Sequence, residues 1–82
     1  MTGYHYRSPV GTFWIVPDHD HPGRWVLGID HEALGNYASA RLAADDVYTQ
    51  HSGSHEWDML DPVRTLMAPN DITEWESGQP DL

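Results

Sequence analysis

The chain has 82 residues, thirteen carboxylates, four arginines, no lysine and a net charge of −9, a field that repels phosphate backbones and disfavours nucleic acid as a partner. Without cysteine it can hold no disulfide, no thiolate metal site and no cysteine nucleophile. No apolar run approaches the roughly 18 residues a membrane span requires, so no membrane association is expected. A single domain of this size buries only about 60–65% of its unfolded surface and needs a dense core. Four Trp, four Tyr and one Phe supply it. The start, MTGYHYRSPVG, lacks a basic region followed by an apolar run, so no signal peptide is read and a cytoplasmic location is expected.

In chain order, Tyr4-His5-Tyr6-Arg7 alternates as an N-terminal arm or strand, and Ser8-Pro9-Val10-Gly11 breaks it with turn chemistry. Thr12 to Val16 is aromatic and β-branched, a strand that Pro17 ends. Asp18 to Gly23 is a polar hairpin connection closed by Pro-Gly. In the next strand, alternation sets Trp25, Leu27 and Ile29 on one face and Val26 and Gly28 on the other. Asp30 to Ala33 turns the chain and Leu34 to Tyr37 returns it. Ser39 is placed to cap a helix whose positions 40, 43, 44, 47, 48 and 51 read Ala, Ala, Ala, Val, Tyr, His, with Gly53 as a left-handed stop. Beyond Ser54, Pro62 to Met67 suggests a helical turn, and Asn70 or Asp71 caps a short helix ending near Trp75, with Glu74 set to complete a capping box.

These elements predict one α+β domain over 1–82. A small antiparallel sheet of three strands, four if the first segment joins, packs on one main helix at about residues 40–51. A C-terminal packing segment at 55–76 contains a short helix, and 77–82 is a frayed tail. One sheet face must meet the helix. The other must be covered by Met59, Leu60, Ile72 and Trp75, or by a partner.

The run of Trp25, Ile29, Leu34, Gly35, Tyr37, Ser39, Ala43, Ala44, Val47 and Tyr48 resembles a sheet-plus-helix module found in the DNA-binding domain of plant ethylene-response factors and in the N-terminal arms of phage-type integrases. The resemblance covers about a third of the chain and implies a fold more than a ligand. Those DNA binders carry Arg and Lys along their strands, whereas Thr12 to Val16 and Trp25 to Ile29 hold no basic residue. The whole chain, with its SPVGTFWI start and DITEW end, resembles small uncharacterised bacterial single-domain proteins, a likeness that brings no activity with it.

Candidate sites are few. Asp18-His19-Asp20-His21 is the densest ligand cluster. If extended, it points His19 and His21 to one side and suits Zn²⁺ or Ni²⁺ given a further ligand. The competing reading is a solvated hairpin tip, and no metal or other cofactor is expected. His51 and His55 bracket a glycine that keeps them from aligning on one helix face. No Gly-x-Ser-x-Gly turn or oxyanion donor accompanies the serines, so an enzyme is not expected. Trp14, Tyr4 and Tyr6 are candidate partner-binding aromatics, with Asp45 and Asp46 as candidate acidic contacts.

Charge is lopsided: residues 1–29 sum to zero, while 30–82 set Arg41 and Arg64 against eleven carboxylates. The expected function is a non-enzymatic interaction module, monomer or weak dimer, for a basic protein partner. The alternatives are a nucleic-acid mimic built on the carboxylates from Asp30 through Glu76, and a metal- or pH-responsive element built on the six histidines. Sequence-specific DNA binding comes last, disfavoured by the charge.

Overall fold

Residues 4–37 alternate large apolar and polar side chains, and the chain answers with four consecutive antiparallel strands. The computed structural model describes residues 3–61, 68–69 and 71–78. The strands are β1 (Tyr4–Ser8), β2 (Gly11–Pro17), β3 (Trp25–Ile29) and β4 (Glu32–Tyr37). Helices α1 (Ala40–Tyr48) and α2 (His55–Asp58) follow, then a 3₁₀ turn (Ile72–Glu74) and a short β5 (Glu76–Ser77). The sheet order is β4-β3-β2-β1-β5. The α+β reading of the sequence holds. The first segment takes its strand option, and a fifth strand is added that the sequence pattern did not signal. Ser77, expected in a frayed tail, is part of that strand; residues 79–82 lie outside the described residues, as does the helical turn expected at 62–67.

The β1–β2 register pairs Tyr4 with Ile15 and Tyr6 with Phe13, while β2–β3 pairs Phe13 with Ile29 and Ile15 with Leu27. This row is the inner face. Phe13, Ile15 and Leu27 are fully buried against Ala40, Ala43, Ala44 and Val47 of α1. Alanine on the docking face lets the helix backbone come close to the sheet. A bulge between Leu27 and Gly28, where partners jump from Gly35 to Ala33, makes room for Leu34 in β4.

Helix α1 is shorter than its periodicity suggests. Ser39 caps it as expected, accepting from the Leu42 amide at 3.2 Å. The left-handed stop is Gln50 (φ 62), not Gly53, and His51 lies outside the helix. The Gln50 amide donates to the Val47 carbonyl (3.2 Å) and the His51 amide to that of Asp46 (2.8 Å), the two bonds of a Schellman ending. A glycine would adopt this conformation more easily, but the Gln50 carboxamide does something glycine cannot. Its Nε2 donates to the carbonyls of Trp57 (3.0 Å) and Leu60 (2.9 Å), tying the end of α1 to the end of α2.

Trp57 is the large plug of the core, fully buried. Its ring stands edge-on to Phe13 (5.3 Å) and Tyr6 (6.1 Å), and its indole N–H donates to the Val47 carbonyl at 2.7 Å. Asp58 closes the loop before it, accepting from the Ser52 amide and hydroxyl and the Gly53 amide. Asp71 caps the 3₁₀ turn through the Thr73 amide and hydroxyl, bonds that hold its carboxyl below the usual range. Leu60, Ile72 and Trp75 all join the inner-face cluster, and Met59 is 71% exposed. None of the four covers the outer face, contrary to the sequence expectation. The inner face absorbs Leu60, Ile72 and Trp75, the last against the Tyr6 ring at 5.8 Å, while Met59 stays in solvent.

Among the described residues two buried side-chain polar atoms lack hydrogen-bond partners, Ser54 Oγ and Trp75 Nε1. Ser54 precedes α2 but makes no side-chain cap. Ser54→Ala is therefore expected to leave urea-unfolding stability unchanged or raise it by about 1 kcal/mol, the reverse of losing a cap. Trp57→Ala is expected to cost about 3–5 kcal/mol in the same measurement.

Candidate interaction groove

Two tight turns meet at one end of the sheet. In the first, Ser8 pairs with Gly11 across Pro9-Val10, and the Ser8 hydroxyl donates to the Gly11 carbonyl (2.6 Å) while accepting from the Val10 amide (3.2 Å). In the second, Ile29 pairs with Glu32 across Asp30-His31. Asp30 takes a left-handed conformation (φ 49) that aspartate tolerates better than branched residues do. Its amide donates to the Thr12 carbonyl and its Oδ1 accepts from the Thr12 amide, both at 2.9 Å, so one residue clamps β2 from both sides. Gly11 (φ 145) permits the approach, since a Cβ there would lie 2.6 Å from Asp30 Oδ2.

Between these turns and α2 lies an open concavity of about 500 Å³ lined by Val10, Ile29, Asp30, His31, Glu32 and Glu56. Val10 and Ile29 form an apolar floor, and three carboxylates and an imidazole form the rim. Among the described residues no arginine lines it. Arg24 is occupied with the Asn36 side chain and carbonyl, and Arg41 exerts its field on Asp71. Among the described residues no arginine pairs with the rim carboxylates of Glu32 and Glu56, and the chain has no lysine.

The sequence-derived candidates are dispersed. Asp18, His19, Asp20 and His21 sit at the far end of the sheet, in a loop that is turned back on itself instead of extended. The Asp18 amide and carbonyl bond to Arg24 and His21. Asp18 Oδ1 accepts from the Asp20 amide (3.0 Å), and Oδ2 from His21 Nδ1 (3.0 Å) and Asn36 Nδ2 (2.6 Å). These bonds, led by that of the Asp20 amide, hold the Asp18 carboxyl below its ordinary range. The carboxylate weighed as a candidate metal ligand is thus a loop staple. Among the described residues no three His, Asp or Glu side chains gather at metal-binding distance.

Tyr4 and Tyr6 lie on the inner face, Tyr4 tilted against Trp25 at 6.1 Å and Tyr6 stacked on Phe13 at 6.4 Å. Burial pushes the Tyr6 hydroxyl above its ordinary pKa. Trp14 lies on the outer face across Gly28, where a Cβ would meet the indole ring at 2.0 Å. Its N–H donates to the Asp30 carbonyl at 2.8 Å. Asp45 is exposed, whereas Asp46 is half-buried and accepts from the Tyr37 hydroxyl at 2.8 Å.

His51 Nδ1 lies 3.2 Å from Thr49 Oγ1, while the Ser52 hydroxyl donates to Asp58 at 2.8 Å. Of the ten carboxylates from Asp30 through Glu76, at least five, those of Asp30, Asp46, Asp58, Asp71 and Glu76, bind groups of the chain itself. No protein-family profile, curated protein or solved structure matches this chain.

The groove was out of reach of sequence reading. Asp30, His31 and Glu32 are contiguous, but only the fold brings Val10 and Glu56 to them. The Asp30-His31 pair at a two-residue turn was the one local signal available.

Tyr37 provides a direct check on the helix–sheet contact. Burial, then the bond to Asp46 and its charge, push its hydroxyl from 10.0 to about 12. The folded state therefore holds that proton more tightly than the unfolded chain. The stabilisation is complete below pH 10.0 and is lost as pH rises toward about 12. In an alkaline absorbance titration, Asp46→Asn is expected to move the latest tyrosine step to lower pH.

Proposed function

We propose that this domain is a non-enzymatic interaction module that takes a basic segment of another protein in the groove between the Ser8–Gly11 turn, the Ile29–Glu32 turn and α2. The observation that carries this reading is the pairing of an apolar floor, Val10 and Ile29, with the carboxylates of Asp30, Glu32 and Glu56, beside which no arginine stands among the described residues. A lysine or arginine side chain matches that surface chemically. Its methylenes rest on the apolar floor while its charged head reaches the rim. Arginine fits better, because its planar fork can bond two carboxylates and is more weakly hydrated. The net charge of −9 steers such a partner from a distance and makes capture sensitive to salt.

An arginine-rich peptide titrated into the domain by calorimetry tests this. Binding is expected at low ionic strength and should weaken with added salt. Glu32→Gln with Glu56→Gln is expected to weaken it about threefold to tenfold, the scale of two rim ion pairs. Asp20→Asn and Asp45→Asn, which remove charge elsewhere, serve as controls. An equal loss from the control pair would mean that overall charge, not the groove, does the binding.

A further inference from the structure

At the opposite sheet edge, β5 is held to β1 by very little backbone. The register covers Tyr4 with Ser77 and His5 with Glu76, and the Gly78 amide adds a bond to the Gly3 carbonyl at 2.7 Å. Trp75, just before it, packs on Tyr6, and one side chain of β1 reaches β5 itself. His5 Nδ1 lies 2.8 Å from the Gly78 carbonyl oxygen, and His5 Nε2 lies 3.0 Å from Glu76 Oε2. A carbonyl oxygen only accepts, and so does an ionised carboxylate. A neutral imidazole has one N–H and one lone pair, so it can satisfy one of these neighbours and must turn a lone pair toward the other. Only the imidazolium donates to both.

We propose that β5 is a proton-locked strap: the His5 imidazolium clamps Glu76 and Gly78 together against β1, and loss of its proton loosens the C-terminal strand. The groups around His5 set the balance. Glu76 from β5 favours the charged ring, Arg7 two residues along the same face of β1 opposes it, and Trp14 opposite on β2 is uncharged. The His5 side chain is 14% exposed and that of Glu76 69%. Deprotonation therefore frees Glu76 to swing into water, while the ring stays in place. Unlocking leaves the Tyr4–His5 stretch of the β1 edge without its neighbour, and an unpaired edge is the part of a sheet that accepts a new strand. This device is independent of the groove and uses a different end of the molecule.

Hydrogen exchange of the Gly78 amide, corrected for intrinsic chemistry, reads the strap directly. Protection in the unaltered protein is expected to fall roughly tenfold between about pH 5 and about pH 8, the scale of one charge-assisted hydrogen bond, while the Leu27 amide stays unchanged. His5→Asn keeps a donor near the Gly78 carbonyl but cannot charge, so its protection should be flat with pH. Glu76→Gln offers a carboxamide that accepts from the charged ring or donates to the neutral one, and should likewise flatten the profile. If His5→Asn does not fold, the exposed Glu76→Gln substitution decides alone. Equal protection of the unaltered protein at both pH values, or an undiminished pH dependence in either variant, overturns the proposal.

Discussion

The bond from the Trp57 indole to the Val47 carbonyl holds the largest buried side chain against the weakest part of the main helix. The last carbonyls of any helix lack intrahelical donors, and a nine-residue helix has little propensity to hold itself together. Here one such carbonyl, besides taking the Gln50 amide, accepts from a ring that also packs on Phe13 and Tyr6. The same insertion anchors α2, and Glu56 stands beside Trp57 in that short helix. The rim of the groove therefore depends on the core plug. Gln50 reinforces the join from the other side, giving up the easier backbone of glycine for two bonds into the segment that carries Trp57.

The sheet is made two-sided by small residues on both of its faces. On the inner side, Ala40, Ala43 and Ala44 bring helix and strands close, so that Phe13, Ile15 and Leu27 are excluded from water without large side chains on the helix. On the outer side, Gly28 leaves a seat for the Trp14 ring, which then reaches the Asp30 carbonyl. Asp30 thus receives bonds from two residues of β2 while standing at the groove, and the geometry of the turn is coupled to that of the whole β2–β3 pair.

The acidic character of the chain has two physical meanings. Asp18, Asp30, Asp58 and Asp71 accept backbone N–H groups in loops and turns, where a carboxylate is a stronger acceptor than a neutral side chain. These charges build the connections between elements. Among the described residues Glu32 and Glu56 bond to nothing in the chain, and they stand together at a concave surface with an apolar floor. A net charge of −9 does not distinguish these two groups; their hydrogen bonds do.

The alternation through Trp25-Val26-Leu27-Gly28-Ile29, the β-branched and aromatic run from Thr12, the serine before Ala40 and the alanine spacing after it determined the α+β class, the hairpins, the start of α1 and its buried face. Those features depend on near neighbours, whose periodicity and capping chemistry can be read along the chain. The end of α1 could not be read, because Gln50 takes a glycine's place only in return for bonds to Trp57 and Leu60. The destination of Trp75, the strand pairing of Glu76 and Ser77, and the two acceptors around His5 likewise depend on residues about seventy positions apart. The groove joins Val10, the Asp30 turn and Glu56 for the same reason. Local sequence decided what each segment is; tertiary packing alone decided which polar groups are used up inside the fold and which are left facing outward.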